Sequence, residues 1–135
     1  MSQIGIGVLI AAMRGNSFDF SSVIGKKIKD LRLDVDGLII EFADTAIMIF
    51  DDGQSCCEDR YMTTDDDLKY YIGSTLMGAV IADAPNRPAE YGEHEVQFLI
   101  VNTSLGDFTV ETHNEHNGYY GGFLVRVKEI GELKY

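Results

Sequence analysis

Hydrophobic and polar positions alternate with period two along most of this chain, the pattern of half-buried β-strands. Leu31, Leu33 and Val35 alternate with Arg32 and Asp34, and Asp36-Gly37 follows as a two-residue hairpin signal. Leu38, Ile40 and Phe42 then share a face, with Glu41 on the other. Ala43-Asp44-Thr45 reads as a turn, Ala46 to Phe50 as a strand, Asp51-Asp52-Gly53 as the next turn, and Cys56-Cys57-Glu58 as part of another strand. Thr63-Thr64-Asp65-Asp66-Asp67 resembles a helix start, with a Thr cap and carboxylates on the positive end of the helix dipole. Gly73 ends that short helix after Leu68, Tyr70, Tyr71 and Ile72. Thr75 to Asp83 returns to strand, broken by Gly78, and Ala84 to Glu93 is a loop holding both prolines. His94 to Thr103 and Asp107 to His113 form a hairpin around Ser104-Leu105-Gly106, and Gly121 to Glu129 closes the chain with Phe123, Val125 and Val127 facing one way. Ile4, Ile6, Val8 and Ile10 form an N-terminal strand whose second face is narrow. The expectation is a mainly β fold, α+β at the margin. It is an antiparallel sandwich or partly closed barrel of about eight short strands, with one short helix covering an end.

At 135 residues the chain has the size of one domain, taken as residues 1–135, and no internal repeat is visible. Charge changes the picture more than size does. The formal net charge is −11, which argues against direct binding to a phosphate backbone. The segment from Asp34 to Asp67 carries eleven carboxylates against Arg60 alone. Such a segment is either a solvated set of strand edges and turns or a docking face for a basic partner. The docking reading selects Asp51, Asp52, Glu58, Asp59, Asp65, Asp66 and Asp67. Lys26, Lys27, Lys29 and Arg32 form a small basic counterpatch that suits a homodimer. The apolar start lacks a basic region before it and is too short to span a bilayer, so no membrane role and a cytoplasmic address are expected. Two adjacent cysteines fit a reducing compartment.

Candidate chemistry sits in two islands, Asp51 to Glu58 and His113 to Tyr120. Cys56, Cys57, His113 and His116 include an acceptable His-x-x-His chelating spacing for zinc, although adjacent strand residues such as the two cysteines point to opposite faces. The same residues are those of a thiol hydrolase, yet the local signatures of cysteine proteases are missing, as are phosphate-binding loops and dinucleotide fingerprints. No enzyme activity and no cofactor is expected. Asn117-Gly118 is a tight-turn signal that sends Tyr119 and Tyr120 to opposite faces. If the two islands meet, Cys57, Glu58, Asn117, Tyr119 and Tyr120 make a small polar pocket.

Asp52-Gly53-Gln54, Cys56-Cys57-Glu58, the short acidic helix ending in Ile72-Gly73, Thr103, Gly106 and Asn117-Gly118-Tyr119-Tyr120 together resemble a small uncharacterised domain of bacteriophage and prophage proteins. The resemblance runs from about Val23 to Tyr120 and leaves residues 1–20 outside it as an N-terminal strand extension. It implies a phage setting and a β-rich fold, with no established activity. Three functions then stay open. The first is an acidic binding protein that inhibits a host defence component presenting a basic surface, acting in the host cytoplasm. The second is a protein that sequesters a small ligand such as a nucleotide signal in the Glu58–Asn117 pocket, and the third is a zinc-stabilised interaction domain.

Overall fold

A computed structural model describes residues 8–9, 18–53, 58–85, 87, 92–117 and 122–130. Within them the period-two stretches become nine antiparallel strands: β1 (Val8–Leu9), β2 (Asp30–Asp34), β3 (Gly37–Glu41), β4 (Ala46–Asp51), β5 (Glu58–Thr63), β6 (Leu76–Asp83), β7 (Glu93–Thr103), β8 (Gly106–His116) and β9 (Val125–Glu129). They form two open sheets, ordered β1-β6-β7-β8-β5 and β2-β3-β4-β9. The architecture is therefore a sandwich, without barrel closure. Leu31, Leu38, Ile40, Ile47 and Ile49 of one sheet meet Ala79, Ile81, Leu99, Val101, Phe108 and Val110 of the other in one buried cluster. Fully burying side chains of this size contributes about 1.5–3 kcal/mol each.

Three local features differ from, or sharpen, the sequence expectation. The β2–β3 hairpin places Val35 and Asp36 in the loop and pairs Gly37 with Asp34, one residue off the Asp-Gly reading. Gly37 sits where a Cβ would come within 2.5 Å of the Ile49 carbonyl oxygen, so the neighbouring strand requires the bare backbone at that position. The break expected at Gly78 is a register shift between Leu76 and Gly78 in the β6–β7 pairing. The acidic helix is a single 3-10 turn, Leu68–Tyr71, capped by Asp67 and not by a threonine. Thr64 donates its hydroxyl to the Thr109 carbonyl, and the Asp66 carboxylate accepts the Thr109 amide. These bonds hold the chain before Asp67 against β8, so no helical turn starts earlier.

The structure also contains a repeat that the sequence hides. A first 3-10 turn, Phe20–Val23, is capped by Asp19 at φ −84°, ψ 98°, and the second by Asp67 at φ −81°, ψ 98°. Ile24 and Ile72 end the two turns, each at φ −66°, ψ 133°. Each is followed by a left-handed glycine, Gly25 at φ 92° and Gly73 at φ 94°. The segments then pair reciprocally around the Lys27–Thr75 bridge. Gly25 N–H donates to Leu76 O and Gly73 N–H to Ile28 O, both at 2.8 Å. Ile28 N–H donates to Ser74 O at 2.7 Å and Leu76 N–H to Lys26 O at 2.9 Å. A pseudo-two-fold axis thus relates the β2-β3-β4 meander to β6-β7-β8. The fourth strands are exchanged: β5 follows the first meander but pairs with β8, and β9 follows the second but pairs with β4.

Candidate functional site

The end of β4 and the start of β5 turn three charged groups inward. The side chains of Asp51, Glu58 and Arg60 are only 5%, 2% and 8% exposed. Arg60 Nη1 lies 2.9 Å from both Asp51 carboxylate oxygens, and Nη2 donates to Glu58 Oε2 at 2.5 Å. Asn114 of β8 donates to Glu58 Oε2 and to Gly122 O, each at 3.0 Å. Asp51 Oδ1 accepts the amides of Gly53 and Leu124 at 3.0 and 3.1 Å. Burial works against the Arg60 charge, but the hydrogen bonds to Glu58 and Asp51 outweigh it and hold its pKa above the ordinary value. A cleft of about 180 Å³ lies beside this group, lined in part by Val35, Asp36, Gly37 and Tyr61.

This arrangement corrects the docking reading for two residues. Asp51 and Glu58 are interior partners of Arg60, because alternation on β5 sends Glu58, Arg60 and Met62 toward the other sheet. The remaining acids do not gather on one face either. Asp52 is exposed, with an oxygen 3.7 Å from Arg126 Nε. Asp59 is exposed on the outer face of β5, opposite Glu115. Asp65, Asp66 and Asp67 are exposed beyond the far end of β5, roughly 15–20 Å away at strand rise. In the basic counterpatch, Lys26 pairs with Asp44 at 2.7 Å, and Arg32 pairs with Asp30 and Glu41.

The two islands approach each other. Glu58 pairs directly with His116, so the described edges of the Cys-Cys-Glu and Asn-Gly-Tyr-Tyr segments lie side by side. Cys56, Cys57, Tyr119 and Tyr120 lie outside the described residues, as does the pocket that would need them. Asn117 follows the last residue of β8. His113 and His116 do not combine as a chelating pair, because residues three apart on a strand leave opposite faces. His116 Nε2 sits 3.0 Å from Glu95 Oε1, which also accepts the Gly122 amide. Among the described residues no group of three or more His, Cys, Asp or Glu is placed to hold a metal ion.

His113 belongs to a second cluster, on the outer face, that sequence reading did not single out. Its Nδ1 is 2.9 Å from His94 Nε2, its Nε2 is 2.8 Å from the Thr63 hydroxyl, and Tyr61 stacks on it at 4.6 Å between centroids. Glu111 Oε1 lies 3.5 Å from His113 Nε2 and 3.0 Å from Arg87. Tyr61 donates to Glu115, and burial first, then that bond, push its pKa up to about 12. Burial, then the neighbouring His94, lowers the His113 pKa below its ordinary 6.5. The folded state therefore favours the neutral ring. Stability from this group is complete above pH 6.5 and is lost as the pH falls through 6.5 toward the folded value, because the unfolded chain takes the proton first. Chemical denaturation at stepped pH is expected to show that loss, and His113→Gln to flatten it. An unchanged slope in the variant would refute the assignment.

Compared with known families, a model described as a domain of unknown function, DUF7448, matches residues 21–125. The chain belongs to this family. The matched span opens inside the first 3-10 turn and closes on the first residue of β9, so it takes in both meanders and the whole Arg60 network. No curated protein and no solved structure matches the chain. Among the described residues no helix is long and apolar enough to cross a membrane.

Proposed function

We propose that the chain acts by binding a protein, through the end of the sandwich that carries Asp65, Asp66, Asp67 and Tyr70, and that the partner presents a basic surface. The observation that carries this reading is Tyr70. Its residue is 60% exposed, yet its ring rests edge-on against Tyr71 with 5.0 Å between centroids. Tyr71 in turn packs on the buried Phe108 at 5.1 Å and donates its hydroxyl to Asp107 O at 3.0 Å. A large aromatic held ready in solvent meets a partner at low entropic cost. The three aspartates beside it favour a cationic surface and raise the rate of encounter. In the phage setting that the sequence resemblance implies, the partner is a host defence component with a basic groove, met in the host cytoplasm.

Replacing Asp65, Asp66 and Asp67 together by Asn tests the charge without removing the cap, since Asn caps as well as Asp. Pull-down from a host lysate at low and high salt is expected to recover a partner with the wild-type protein at low salt only. The triple variant should lose it, and Tyr70→Ala should weaken binding by about 2 kcal/mol. Recovery of the same partner by the triple variant at every salt concentration would sink this reading.

A further inference from the structure

We infer that the cleft where the two pseudo-symmetric segments meet is a binding site for a small amphipathic anion, an apolar body carrying one negatively charged head. The cleft has a volume of about 340 Å³ and is lined by Lys27, Ile28, Lys29, Ala43, Ile72 and Gly73. It lies beside the axis, since Ile28 and Gly73 are joined by one of the reciprocal hydrogen bonds. Seams between packed units are a common place for small-molecule sites, and this volume is at the lower end of their range. At about 30 Å³ per small atom group it has room for roughly ten.

The walls are mostly apolar, and the charge at the rim has one sign. The carboxylates that flank the cleft are already engaged. Asp44 is held by Lys26 at 2.7 Å, and Asp30 and Glu41 are both held by Arg32. Among the described residues the ammonium groups of Lys27 and Lys29 have no ion-pair partner, and both residues are exposed. In a chain of net charge −11, Lys27 and Lys29 place two uncommitted positive charges on the rim of one apolar hollow. They complement an anionic head whose tail is buried against Ala43 and Ile72.

The pseudo-symmetry supplies an internal control. Across the axis, Lys27, Lys29 and Ile72 correspond to Thr75, Met77 and Ile24. Ile24 and Met77 are 42% and 57% exposed, and nearby Leu105 is 49% exposed. This second place offers apolar surface without the lysines, so it separates binding by grease from binding by charge plus grease.

Octanoate, octyl phosphate and uncharged octanol, titrated into the isotopically labelled chain, provide the test by amide chemical shifts. At least one of the two anions is expected to bind about tenfold tighter than octanol and to shift Lys27 to Lys29, Ala43 and Ile72-Gly73. The tighter anion identifies the head group. Lys27→Gln with Lys29→Gln should abolish the tenfold preference and leave octanol unchanged, and Ala43→Phe should fill the hollow and remove all three ligands. Equal affinity for the anions and octanol would overturn the inference, as would shifts centred on Ile24, Met77 and Leu105 or no shifts at all.

Discussion

Arg60→Met is expected to cost about 3–5 kcal/mol of folding stability, read from urea denaturation near neutral pH. The arginine pairs with both Asp51 and Glu58, and both carboxylates are almost fully buried. Methionine fills a similar volume but leaves two negative charges in a poorly solvated space, which is far worse than an exposed ion pair lost. Adding Asp51→Asn and Glu58→Gln to Arg60→Met should restore much of the loss, because neutral amides remain while the stranded charges go. A single variant within about 1 kcal/mol of wild type would show that the network does not hold this end of the sandwich together.

Gly92→Ala should lower stability by about 2–4 kcal/mol, combining a left-handed backbone cost with overpacking. Gly92 sits just before β7 at φ 72°, and an added Cβ would stand 2.0 Å from His116 O and 2.8 Å from Asn117 Cα. Both obstacles are backbone, so no rotamer change relieves them. Relief requires β7 and β8 to part where Glu93 faces His116, the same place where Glu58 meets His116 from the other side. In a thermal melt the expected drop is roughly 10 °C. Hydrogen exchange should quicken at Glu93 to Glu95 and at Asn114 to His116. A melting temperature equal to wild type would mean that the turn before β7 relaxes freely.

Much of the secondary structure was legible because its causes are local. The alternation in Leu31 to Phe42, the Gly78 break, the Ser104-Leu105-Gly106 hairpin and the inward Val125 and Val127 all follow from period two plus turn residues. Parity alone also separates His113 from His116, and applying to the histidines the rule that parts Cys56 from Cys57 removes the chelate. What was not legible depends on partners far along the chain. Arg60 reads only as a lone counter-charge in an acidic stretch, and the pairing of β5 with β8 shows that it faces inward. The helix start fails because Thr109, more than forty residues later, competes for Thr64 and Asp66. The repeat escapes notice because its two copies share little beyond Asp19, Ile24, Gly25 and their counterparts Asp67, Ile72, Gly73.

The exchanged strands bear on how the protein is made. Before β6 to β9 have been made, β2, β3 and β4 can pair with one another, but β4 then presents a bare edge and β5 has no neighbour to pair with. The strand that will cover β4 is Val125–Glu129, which follows β5, β6, β7 and β8 in the sequence, so the first sheet cannot be finished before all of these have been made. Until then an apolar edge that includes Ile47 and Ile49 is open to any passing strand. The long stretch between β4 and its partner strand is thus a folding liability, and rapid synthesis of β5 to β9 shortens the time for which that edge stays open.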